Sequence, residues 1–192
     1  MLIVLAILFP IVAGIYVTAR KLPDEGKRKE SYVICLAITD VLGLLALFFG
    51  SPVTVARFSD KLSISFGMDA TGRLALFAVL ALYTAVTFYA FDYLEMEEED
   101  PRSFYAFFFV SLGSLIAVCG ASNLVTVYLA FEIATLSSMP LVLFERTKEA
   151  IQAAQKYLFY SIGGALMGLL AIVALCMPLL YALTKLVRRI LK

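Results

Sequence analysis

The chain has 192 residues, of which 62% are hydrophobic and 16% charged, and it contains neither histidine nor tryptophan. A mean hydropathy of +0.92 lies far outside the range of soluble globular domains and marks an integral membrane protein. Sixteen basic residues against fifteen acidic ones leave a formal charge of +1, so there is no basic surface of the kind that nucleic acid or another polyanion requires.

Residues 1–17 are continuously apolar, yet no basic residue precedes them and no small-x-small cleavage site follows. The expectation is a first transmembrane helix with an outward-facing N-terminus, not a signal peptide. The segment 20–30 then carries Arg20, Lys21, Lys27, Arg28 and Lys29, an excess of positive charge that assigns it to the cytoplasm. Alternation puts the linkers 95–102 and 145–149 on the cytoplasmic side as well, with 51–72 and the turn at Asn123 outside.

A second span is expected at 31–50, with Asp40 about ten residues into it. Within 51–72, residues 61–68 set Leu62, Ile64 and Phe66 against Ser63, Ser65 and Gly67. This period of two predicts a short extracytoplasmic β-hairpin or strand. Further spans fall at 73–94, 103–120, 122–144 and 150–175, each reaching or approaching the roughly 20 apolar residues that hydrocarbon requires. Backbone groups cannot be left open in lipid, so segments this long and apolar are read as helices. The fold class expected is an all-α integral membrane protein of about six transmembrane helices, forming a single transmembrane domain over 1–192.

Asp92 is close enough to the end of the third span to be an ordinary solvated acid, and the run 95–100 is either a solvated acidic patch or a cation collector. The basic tail 178–192, with Lys185, Arg188, Arg189 and Lys192, would emerge outside, against the charge rule. It either bends at Pro178 and lies along the interface or re-enters. Cys35, Cys119 and Cys176 sit in apolar segments without CxxC spacing or a neighbouring histidine, and are read as packing residues. Gly163, Gly164 and Gly168 form a small-residue face suited to close helix packing.

Glu132 stands near the middle of the apolar stretch 121–144. A carboxylate at such a depth costs on the order of 3 kcal/mol on translocon scales, so its default reading is a functional group on an ion path. The competing reading is a carboxylate hydrogen-bonded to nearby hydroxyls to fix packing. Ser137 and Ser138 lie one to two turns further on, in reach of a water chain or a neighbouring helix. Asp40 is either an ion ligand or relay, or a contact to another subunit. Lys156 either snorkels back to the interface or serves as a relay joined to Glu132 through water, about two turns deeper.

At 123–142 the chain reads NLVTVYLAFEIATLSSMPLV. This resembles the fifth helix of the antiporter-like membrane subunits: the proton-pumping subunits of respiratory complex I, the large subunits of multisubunit Na+/H+ antiporters, and their membrane-bound hydrogenase relatives. The matching positions are Asn123, Leu124, Tyr128, Phe131, Glu132, Ser137 and Ser138. ISFGMDATGRLALF at 64–77 is similar to the family's Gly-x-Asp lead into helix three, and AAQKYLFYSIGGALM at 153–167 to its Lys-Tyr start of helix six. The resemblance implies that Glu132 is a proton-pathway residue. It also implies partners among the other membrane subunits of a complex in a multi-pass cell-membrane setting, with H+ or Na+ as the ion.

The family's partner lysine, on a broken seventh helix followed by Pro, His and Trp-Leu-Pro, has no counterpart here. The expectation is therefore the N-terminal half of such a subunit, whether a short paralogue, one half of a split subunit or a fragment, carrying part of an ion pathway. The alternative is a structural subunit packed between pumping modules. No cofactor or metal is expected, for the sequence holds no haem-type histidine, cysteine cluster or Gly-rich nucleotide loop. Any oxidoreductase activity would belong to partner subunits.

Overall fold

A computed structural model describes residues 1–19, 25–59, 62–96, 101–144 and 147–190. In chain order they form α1 (Leu2–Ala19), α2 (Glu25–Phe49), β1 (Val53–Ser59), β2 (Leu62–Phe66), α3 (Ala70–Met96), α4 (Pro101–Cys119), α5 (Leu124–Val142) and α6 (Lys148–Ile190). Among the described residues six helices are long and apolar enough to cross a bilayer. The six-span helical fold and the hairpin between the second and third helices are thus borne out.

Except for α5, which is shorter than the expected 122–144, the helices run longer than the apolar segments that predict them. Hydropathy marks what hydrocarbon must cover, whereas a helix continues for as long as its backbone bonds can be made and its residues tolerate it. The helix α2 takes in Lys27, Arg28 and Lys29 at its start, all good helix formers. The start of α3 is set by Asp69, whose carboxylate accepts from the Gly72 N–H at 2.6 Å, an N-cap bond. The helix α6 runs through Pro178 to Ile190, 43 residues, or about 64 Å at 1.5 Å per residue. Hydrocarbon is about 30 Å thick, so roughly half of that length suffices to span it. Arg20, Lys21, Lys61, the acidic run from 97 to 100, Arg146 and Lys192 fall outside the described residues.

The core lies between α1 and α4, flanked by α2 and α3 on one side and by α5 on the other. Small residues set the first contact: a Cβ on Gly14 would come 2.8 Å from that of Phe109. Tyr32 of α2 stacks on Tyr105 of α4 with ring centroids 3.9 Å apart, and the Tyr83 hydroxyl of α3 is 2.9 Å from that of Ser111 on α4. Burial falls off toward the end of the chain. Half of the α4 span is buried within the protein, whereas in the α6 span Lys148–Ala174 only Ala150 and Ala154, in its first two turns, are buried.

At one end of the bundle β1 and β2 pair antiparallel, Val53 opposite Phe66 and Ser59 opposite Leu62, with two register shifts between. The hairpin is fastened to the turn joining α4 and α5. Ser122 N–H donates to Ser65 O at 2.9 Å, and Gly67 N–H donates to Gly120 O at 2.7 Å. A Cβ on Gly67 would fall 2.8 Å from Ser122 Oγ, so a larger residue there would oblige that hydroxyl to turn away.

Candidate ion-pathway site

Asn123 places α5. Its Oδ1 caps the helix by accepting from the Thr126 N–H and hydroxyl, each at 2.8 Å, and its Nδ2 donates to Ser63 O and to Ser65 Oγ, both at 2.8 Å. Thr126 Oγ1 in turn accepts from the Ser65 N–H at 3.1 Å. One side chain therefore starts the helix, holds the hairpin and sets the depth of everything that follows on α5.

Glu132 is eight residues from the start of α5 and ten from its end, about 12 Å and 15 Å along the axis. Thr126, Ala130, Ala134 and Ser137 are the buried residues of this helix, and their spacing makes one stripe, turned toward α4, the helix it packs on most heavily. At 100° per residue Glu132 falls on roughly the opposite side. Its side chain is half-buried, and Oε1 is shielded from solvent with no hydrogen-bond partner. Tyr128, four residues earlier, lies on the same side of α5 as the carboxylate.

A run of hydroxyls continues from Glu132 toward α6. Thr135 Oγ1 donates to Glu132 O at 2.9 Å, Ser138 Oγ donates to Thr135 O at 2.8 Å, and the Ser138 hydroxyl lies 2.6 Å from that of Tyr157. Tyr157 is the cross-link to α6. With the helices antiparallel, six residues from Ser138 back to Glu132 correspond to six from Tyr157 forward. Glu132 is then level with Gly163 and Gly164, where a Cβ would meet nothing within 4 Å.

The other sequence-derived residues separate. Ser137 is buried and its hydroxyl donates within its own helix to Ala134 O at 3.0 Å, so of the adjacent serines only Ser138 reaches α6. Lys156 is exposed, on a flank of α6 turned away from the side carrying Ala150, Ala154 and Tyr157. Asp40 lies elsewhere, between α2 and α3, with Thr84 Oγ1 2.8 Å from its Oδ2. Tyr157 and Thr135 are site residues that sequence reasoning passed over. The signal for Tyr157 was its position, a hydroxyl in the third turn of α6 after a short loop, opposite the serines near the end of α5. An open groove of about 440 Å³ between the ends of α3, α4, α5 and α6, lined by Tyr93, Phe104, Leu141, Phe144 and Thr147 among others, is at the far end from the hairpin and does not include Glu132. Among the described residues no three His, Cys, Asp or Glu side chains gather as a metal site would require.

Fold and site together define a multi-pass helical membrane protein with a carboxylate halfway along one of its spans. Residues 121–184 match the family described as NADH:quinone oxidoreductase/Mrp antiporter, membrane segment, the same resemblance that its fifth-helix motif implies. The Na(+)/H(+) antiporter subunits A1 of Staphylococcus aureus strains JH9, Newman and JH1 are each 30% identical to it over 112 residues. These matches cover 58% of this chain and 14% of each relative. The family-matched segment 121–184 includes Glu132, Ser137, Ser138, Lys156 and Tyr157.

Proposed function

We propose that this chain supplies part of a H+ or Na+ pathway inside a multisubunit membrane complex, with Glu132 as the titrating carboxyl. The observation that carries the reading is the Glu132 side chain itself: it is mid-helix, it faces away from the α4 contact, and Oε1 has no partner. A group kept for packing would have both oxygens satisfied, because an open acceptor at that depth costs about 1–3 kcal/mol, and more when charged. Tyr128 on one side and Thr135, Ser138 and Tyr157 on the other provide polar steps a turn or less apart, which water would bridge. The open space at Gly163 and Gly164 leaves room beside the carboxyl for water and for a neighbouring element bearing a counter-charge. In the orientation set by the basic first linker, this run leads from Glu132 toward the cytoplasm. Lys156 belongs to the same end of α6 and serves as a relay at its mouth.

The α6 span, unburied from 155 to 174, favours a second reading, a structural subunit whose last helix seals a contact between larger modules. Replacing Glu132 by Gln in the assembled complex separates the two. Relay function predicts normal assembly with ion translocation reduced by a factor of roughly 10² or more, the range for loss of a positioned proton carrier. Undiminished translocation, or failed assembly, supports the structural role.

A further inference from the structure

The contact between α2 and α3 holds the second carboxyl at membrane depth. Asp40 is nine residues from the end of α2, about 14 Å, and Thr84 is in the middle of α3. Gly43 brings the helices together, since a Cβ there would come 2.8 Å from Leu80 Cδ1. One turn along, Thr84 Oγ1 stands 2.8 Å from Asp40 Oδ2 and 2.9 Å from Leu80 O of its own helix. Asp40 Oδ1 is shielded from solvent and has no partner.

A hydroxyl has one hydrogen and donates it once. If Asp40 were ionised, Thr84 could serve either the carboxylate or the Leu80 carbonyl, and Oδ1 would remain a charged, buried, unpaired acceptor, the costliest kind. A protonated Asp40 resolves this: Oδ2–H donates to Thr84 Oγ1, Thr84 donates to Leu80 O, and the oxygen left over is a neutral carbonyl.

Among the described residues, α1 and α3 place no counter-charge close to Asp40. The helix α1 has no charged side chain over Leu2–Ala19, and its only titratable side chain, Tyr16, is near the end away from the hairpin. On α3, Arg73 and Asp92 are eleven and eight residues from Thr84, about 16 Å and 12 Å along the helix. Tyr83, next to Thr84, is engaged with Ser111. On α2 itself the nearest titratable groups are Cys35 and Tyr32, five and eight residues away.

We propose that Asp40 is a second proton-binding site, holding its proton at Oδ2 and donating it to Thr84. It lies on the α2–α3 side of the α1–α4 pair, whereas Glu132 is on the α5–α6 side. Removing the proton leaves an ionised carboxylate with at most one donor in a close helix contact, so water or a cation must enter between α2 and α3. The proton thereby holds that contact shut.

Infrared spectroscopy of the full chain in lipid nanodiscs at neutral pH tests this independently of Glu132. The difference between wild type and Asp40→Asn is expected to show loss of a protonated carboxylic C=O stretch, and Glu132→Gln is expected to leave that band in place. Thr84→Val should keep the band but move it to higher frequency, as the hydrogen bond is lost. Loss of a carboxylate band in place of the acid band in Asp40→Asn overturns the proposal. Should Asp40→Asn not fold, Thr84→Val decides: a shifted acid band supports the site and an unshifted spectrum overturns it.

Discussion

The hairpin end of the molecule and the middle of its membrane span treat polar groups in opposite ways. At the hairpin end Asp69 caps α3, and Asn123 makes bonds at 2.8 Å to both the α5 start and the β2 strand. In mid-span, Glu132 and Asp40 each retain a shielded oxygen with no partner. Both regions contribute to the family resemblance, through the Gly-x-Asp stretch, the Asn-Leu pair and the glutamate, yet the first set is saturated with internal bonds and the second is not. Saturation goes with holding the backbone in place. An open acceptor at depth costs stability, a cost that the proposed exchange of a proton or ion at these carboxyls would account for.

Breaking the saturated end should cost the most stability and leave transport intact. Asn123→Ala removes a helix cap and two ties to the hairpin, a loss of about 2–3 kcal/mol from roughly 1 kcal/mol for the cap and a similar amount for each bond. Thermal unfolding in detergent measures it, and ion flux per assembled complex should stay near wild type. If flux falls while stability holds, the division between the two ends fails.

Tyr157→Phe sits between the regions, because its hydroxyl both joins α5 to α6 and extends the polar run. The expected destabilisation is about 1 kcal/mol, with slower translocation that Ser138→Ala should reproduce without adding to it when the two are combined. Fully additive losses in the double variant would show that the two hydroxyls act separately. Lys156→Met is expected to have the smallest effect: unchanged stability, since the side chain is exposed, and a several-fold reduction in coupling. Unchanged coupling in the assembled complex would remove Lys156 from the pathway and leave it as an interfacial anchor.

Spans, the hairpin and Glu132 were legible in the sequence because each depends on local pattern or on depth: an apolar run, an alternation of two, a carboxylate where hydrocarbon must be. Helix ends were less so, since Lys27 to Lys29 look like loop by hydropathy and yet extend α2 into the charged flank. Which of Ser137 and Ser138 belongs with the site was not legible. Adjacent residues point about 100° apart on a helix, and only the packing of α5 on α4 decides which one turns inward. The link from Asp40 to Thr84 spans 44 positions and depends on the close approach at Gly43, which sequence spacing does not reveal. Tyr157 was hidden in the same way, as its role depends on the antiparallel register of α5 and α6.

The most direct check is whether water reaches residue 132. In the assembled complex, with the chain's own three cysteines replaced by alanine, Glu132→Cys should react from the aqueous phase with a small charged thiol reagent, while Ala134→Cys, on the α4-facing stripe of the same helix, should not. Equal protection of both positions would mean that no hydrated route meets the carboxyl, and α5 would then be a packing element.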